Sequence, residues 1–239
     1  MEGVRKEVSL NYLSVKNITE TSADIYFYGE IVGDEWSKWC DTDKCPEDVV
    51  KALKEAEGKD LNIYINSPGG SVFAGLAIYN MLKRSAGKKT CYIDSLAASI
   101  ASVICMAGDE IIMPSNSFLM IHKPWSGCWG NAEELRKSAD DLDIIEQGIV
   151  DVYKSNLIDE EKIEEIKTLM AEETWLTAEK AAEYFKNIKI VSANNAKASL
   201  DGKFFNEFKN IPKDLVKNKE KTNMREKEAL KTELELLFL

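Results

Sequence analysis

Between Ser22 and Val32 the chain reads SADIYFYGEIV, alternating apolar with polar positions and rich in β-branched and aromatic residues. That period of two predicts a half-buried strand ending at Gly33. After a polar loop containing Trp36, Pro46 to Glu57 sets Val49, Val50, Leu53 and Ala56 at helical spacing, with Pro46 suited to a first turn and Gly58 to a C-cap. Leu61 to Asn66 (LNIYIN) predicts a short strand stopped by Ser67-Pro68-Gly69-Gly70, and Val72 to Lys83 is apolar at 73, 76, 77, 78, 81 and 82, a helix. The order then repeats: Lys89 to Ile93 reads as a strand, Ala97 to Ala107 as a helix, and Glu110 to Met113 and Phe118 to His122 as strands. Alternating βα units on short turns predict an α/β fold with a largely parallel sheet.

From Asn131 to Ser155, Leu135, Ala139, Leu142, Ile145, Ile149 and Val152 recur every three or four residues on one face of a single long helix. About 25 residues at 1.5 Å each extend roughly 37 Å, more than a compact domain needs. Part of the stripe then meets another subunit, although periodicity alone equally allows it to pack on its own core. A second helical stretch, Asp159 to Ala171, leads through Thr174-Trp175-Leu176 to a helix over Thr177 to Phe185 capped by Thr177. The folded body is expected to finish near Val191, dividing the chain into an N-terminal segment (1–21), a body (22–191) and a tail (192–239). The tail shifts to Lys, Glu and Asn, and Leu230, Leu234 and Leu237 mark an amphipathic helix in it. Its readings are linker or partner docking, with plain disorder as the competitor.

Composition narrows the partners. With 239 residues, 44% apolar and 30% charged, the chain matches an ordinary globular protein with one substantial core. Its 31 Lys+Arg against 41 Asp+Glu leave a charge of −10, which repels nucleic-acid phosphates and anionic membranes. The start, MEGVRKEVSLNYLSV, lacks a signal peptide's apolar core, so a cytoplasmic location is expected. The most apolar stretch, Leu96 to Gly108, is too short to span a bilayer and reads as a buried helix. The five cysteines are scattered, Cys40 and Cys45 having no second pair, so reduced thiols are expected, with neither metal nor cofactor.

Three short stretches carry candidate chemistry. Asn66 to Ser71 pairs glycines between a strand and a helix, where backbone N–H groups can approach an oxyanion or a phosphate; without a Lys-Ser/Thr ending or a GxGxxG pattern, the oxyanion is preferred, and a plain tight turn is the bland reading. Ser99 lies among small residues at a strand-to-helix junction, DSLAASIAS, where a serine is otherwise a cap or a packing residue. His122 ends the apolar run from Phe118 and precedes Lys123-Pro124. A lone histidine is often structural. Here it is the only one in the chain, so any histidine-dependent proton transfer must use it, and a serine nucleophile needs such a base.

Taken in order, YINSPGGSVFAGLAIYNML at 64 to 82, SLAASIAS at 95 to 102 and MPSNSFLMIHKP at 113 to 124 resemble the proteolytic subunit of the Clp protease family, over roughly residues 22 to 190. The resemblance implies a ClpP/crotonase-like spiral of ββα units with a protruding long handle helix, and a serine endopeptidase that self-associates into rings. It implies Ser99 as nucleophile, His122 as general base, and the backbone N–H groups of Gly70 and Ile100 as the oxyanion hole. The family's acid is an aspartate, whereas MAEETWLTAEKAAEYF places Glu173 at that position, with Glu172 as the adjacent rival.

The wording Glu-Thr-Trp-Leu-Thr-Ala, the Trp36 loop and the charged tail resemble the phage head-maturation branch, which would put the chain in a host cytoplasm. The partners implied are a polypeptide substrate and either an ATP-driven unfoldase or phage capsid and scaffold proteins. Competing functions are a crotonase-type acyl-CoA enzyme, which also holds an oxyanion with two N–H groups, and an inactive scaffold subunit of the same fold.

Overall fold

The computed structural model describes residues 16–193 and 208–212. The leucines of the tail and the N-terminal segment to residue 15 lie outside the described residues, so the amphipathic tail helix is not among the elements below. The body is mixed α/β: strands β1 (Ser22–Ile31), β2 (Asp60–Gly70), β3 (Lys89–Ala98), β4 (Glu110–Pro114), β5 (Phe118–Ile121), β6 (Thr174–Thr177) and β7 (Ile188–Val191), with helices α1 (Pro46–Glu55), α2 (Val72–Arg84), α3 (Ile100–Cys105), α4 (Ala132–Asn156), α5 (Ile163–Ala171) and α6 (Ala178–Tyr184). The expected fold class holds.

All seven strands form one sheet, with β1-β2-β3-β4-β7 parallel throughout. The fork lies at β3. Its first half pairs with β4 through Thr90 to Tyr92, and its second half pairs in parallel with β5 through Leu96 to Ala98. β6 then closes on β5 in the antiparallel sense, Ile121 opposite Thr174. Alternation decides the faces: Leu61, Ile63 and Ile65 of β2 are buried in the core, while Tyr64 on the other face stacks between Tyr26 and Tyr92 at 4.7 and 4.9 Å.

Two strands run longer than their patterns predict. β2 continues through Ser67-Pro68-Gly69-Gly70, so that segment is the end of a strand beside β1 rather than a turn. Gly70 is needed there because a Cβ would stand 2.1 Å from the Ile31 carbonyl oxygen. β3 likewise takes in Ala97 and Ala98, which postpones α3 to Ile100. Other differences are local: α1 ends at an Ala56 cap instead of Gly58, and a 3₁₀ turn, Glu160–Lys162, precedes α5. Thr174–Thr177 is a strand, and β7 was not anticipated.

The long helix is also resolved. From Ala132 to Gly148 no residue of α4 is buried, whereas Ile149, Val150, Val152, Tyr153 and Asn156 are. Packing of the whole stripe on the chain's own core is therefore excluded: of its members Leu135 is 43% exposed and Ala139 is exposed, while Leu142 and Ile145 are only partly buried. Among the described residues no helix is long and apolar enough to cross a membrane.

Candidate active site

The fork in the sheet assembles the site. Because Ala98 pairs with Met120, the residues just beyond the two strands, Ser99 and His122, emerge side by side, and Ser99 donates its N–H to the Met120 carbonyl at 2.9 Å. His122 Nε2 lies 2.7 Å from Ser99 Oγ, a full hydrogen bond. Ser99 occupies φ 53°, ψ −129°, a conformation rare for a residue with a side chain, and as N-cap of α3 its hydroxyl makes no capping bond. The hydroxyl is thus committed to the imidazole. Strain at a strand-to-helix junction is how a nucleophile is raised clear of the backbone.

β6 brings Glu173, the predicted acid, to this end of the sheet. Glu173 immediately precedes Thr174, the β6 partner of Ile121, and also has a positive φ, 51°. Among the described residues His122 hydrogen-bonds to Ser99 alone; the Glu173 carboxylate bears on the ring through its charge, and its Oε1 accepts the backbone N–H of Asn210 at 2.7 Å. Burial holds the imidazole below its ordinary pKa, against the opposing pull of Glu173 and with a smaller push from the Lys209 ammonium. A neutral imidazole is the form that accepts a proton. Glu172, exposed, contributes its backbone carbonyl to Asn210 rather than a carboxylate to His122.

The glycine pair lies against Ser99. A Cβ on Gly69, at φ +99°, would stand 2.6 Å from Ser99 Cβ and 3.1 Å from the Ile100 nitrogen, so only glycine lets β2 come this close. Gly70 follows directly, and the stretch is fixed by Ser67, whose hydroxyl donates to the Gly29 carbonyl at 2.6 Å and accepts the Gly69 N–H at 3.1 Å. Ser99, Ile100, His122, Pro124, Ile149 and Tyr153 border a narrow cavity. A larger one, about 440 Å³, sits between α1 and α2 at Leu53, Met81 and Arg84 and contains none of the predicted site residues.

Sequence reading missed a buried relay. Tyr153, fully buried in the last turns of α4, hydrogen-bonds the Ser102 hydroxyl at 2.6 Å, and Ser102 donates to the Ser99 carbonyl. Only the apolar register of α4 hinted that position 153 faces inward. It also missed Phe208 and Asn210, because nothing in a Lys- and Asn-rich stretch signals a return to the site. Of potential metal ligands among the described residues, Glu35, Cys45 and Asp48 converge, but Lys38 already binds the two carboxylates, at 3.7 and 2.7 Å.

A family model described as Clp protease matches residues 31–185. The chain belongs to the Clp protease family. Three relatives within it are ATP-dependent Clp protease proteolytic subunits. That of Porphyromonas gingivalis is 33% identical over 140 residues, 57% of this chain and 62% of the relative. Subunit 1 of Chlamydia abortus is 34% identical over 151 residues (60% and 78%), and subunit 1 of Mycobacterium bovis 30% over 167 residues (68% and 79%). The chain thus spans about three-fifths of the length of the first relative and nearly four-fifths of the others. In this Clp protease family member, the matched region contains Ser99, His122 and Glu173 but stops before Phe208.

Proposed function

We propose that this chain is a serine endopeptidase in which Ser99 attacks the peptide carbonyl, His122 takes and returns the proton, and Glu173 is the acid that orients and balances the imidazolium. The observation that carries the reading is the 2.7 Å contact between Ser99 Oγ and His122 Nε2 at a strained strand-to-helix junction. As His122 accepts the hydroxyl proton, the Ser99 oxygen bonds to the carbonyl carbon, and the negative charge moves to the carbonyl oxygen. The backbone N–H groups of Gly70 and Ile100 are the groups assigned to receive it. His122 then protonates the leaving amine, and water repeats the sequence on the acyl-enzyme.

The reading extends to the assembly. Copies associate into rings, the exposed, partly apolar first turns of α4 are the surface by which two such rings interlock, and the substrate is a polypeptide. Residues 22–191 are the peptidase domain, and the setting is cytoplasmic. The narrower assignment, cleavage of phage capsid or scaffold protein, rests on the wording Glu173 to Ala178 and the Trp36 loop. Its test is whether the purified chain cuts such proteins with no ATP-driven unfoldase added.

The peptidase reading is tested by labelling with a fluorophosphonate and by peptide hydrolysis. Wild type should be labelled at Ser99 and turn over peptide, and both activities should vanish in Ser99→Ala, with turnover lost in His122→Ala. Hydrolysis that survives Ser99→Ala overturns it.

A further inference from the structure

Residues 208–212 lie against the site, although the chain between them and β7 is long. Phe208 packs on the outer face of the small β3–β5–β6 sheet, where Leu96, Ala98 and Met120 form an apolar cluster bordered by Phe118 and Trp175. Its ring meets Trp175 edge to face at 5.6 Å and His122 at 6.1 Å. Asn210 donates twice into the turn before β6, from its backbone N–H to Glu173 Oε1 (2.7 Å) and from Nδ2 to the Glu172 carbonyl (2.6 Å). The first is a short, charge-assisted bond, the stronger kind.

The three contacts act in one direction. Asn210 engages the carboxylate that His122 needs, and no hydrogen bond joins Glu173 to His122 among the described residues. Phe208 sets its ring edge to face against the imidazole. Lys209 adds a positive charge near a ring that must become cationic in the reaction, and it and Glu173 are the charged groups that bear on His122. We propose that residues 208–212 are an intramolecular latch, in which Asn210 withholds Glu173 from His122 until the segment lifts away. The inference rests on the reading of Ser99, His122 and Glu173 as a triad. Once Asn210 leaves, Glu173 is free to accept the Nδ1–H of His122, and the serine–histidine pair gains its third member. Asn210 is then a positioning residue acting through Glu173.

Because the chain has one histidine, ¹⁵N-histidine labelling reports His122 alone, whether or not the protein is active. Asn210→Pro removes the backbone donor and the side-chain amide together, and Phe208→Ala removes the aromatic anchor. The His122 titration midpoint should rise by about one pH unit in both variants, the size of a gained carboxylate partner. Adding Glu173→Gln to Asn210→Pro should abolish that rise, which mere resolvation of the ring or loss of Lys209 would leave intact. In peptide hydrolysis, Asn210→Pro should raise kcat/KM about tenfold, in step with the gained acid. An unchanged midpoint in both variants, or a rise that persists with Gln at 173, overturns the latch. Absence of Ser99-dependent hydrolysis in every variant instead counts against the peptidase reading, while the titration still decides whether Asn210 holds Glu173.

Discussion

Gly75 of α2 stands directly over Ile100, the residue after Ser99: a Cβ added to Gly75 would come 2.1 Å from Ile100 Cγ1. The contact is side chain against bare backbone, so α2 sets how far α3, and with it the Ile100 N–H, can move. Alanine is the better helix former by about 1 kcal/mol, yet overpacking here costs about 1–3 kcal/mol. Gly75→Ala should therefore lower stability despite the propensity gain, and should slow fluorophosphonate labelling of Ser99 more than the stability loss explains. Urea midpoints with labelling rates check this; a variant as stable and as reactive as wild type would show that α2 does not fix the site.

The relay beneath Ser99 makes a second case. Ser102 donates to the Ser99 carbonyl and accepts from Tyr153, and both hydroxyls are buried. Removing one partner leaves the other unsatisfied at about 1–3 kcal/mol, whereas removing both leaves less unpaired. Ser102→Ala and Tyr153→Phe should each destabilise the protein, and the double variant should lose clearly less than the sum. Additive losses in chemical unfolding would mean that the two groups do not interact.

Glu173 and Glu172 are adjacent but not equivalent. Glu173 is the one whose charge bears on His122, while Glu172 faces solvent. Glu173→Gln should reduce kcat at least tenfold, less than the about 10⁴ known for loss of the triad acid's proper form elsewhere, because Glu173 hydrogen-bonds the ring only when Asn210 is released. Glu172→Gln should change it less than about twofold. Steady-state kinetics on the two variants decide, and equal rates in both would remove Glu173 from the mechanism.

How much of this was legible depended on the distance over which each feature is set. The β1 alternation and the α4 stripe are local patterns and read correctly. The ends of β2 and β3 did not, because Ser67 to Gly70 and Ala97-Ala98 look like turn and helix residues locally, and only pairing with β1 and β5 makes them strand. Ser99 and His122 were recoverable as types, a serine among small residues and a unique histidine, whereas the forked β3 that joins them has no signature. Thr174 to Thr177 is four residues, too short for a period, and becomes a strand by lying against β5. Phe208 finds its place through an apolar face assembled from three strands, information no stretch of the tail contains.

The pH dependence follows from the burial of His122. Its pKa lies below the ordinary 6.5, chiefly because the half-buried ring loses solvation when charged, with Glu173 opposing. At neutral pH the base is already unprotonated, so kcat/KM should be flat there and fall on the acid side as one proton binds, with a midpoint below 6.5. The same shift links to stability. The unfolded chain binds the proton first, so the stability associated with the neutral ring is complete above the unfolded pKa and is lost as pH falls towards the folded value. Thermal melts of wild type should therefore drop with acidification through this window more steeply than those of His122→Ala, which has no histidine to titrate. A kinetic midpoint above 6.5, or parallel melting curves for the two proteins, would mean that burial does not govern the base.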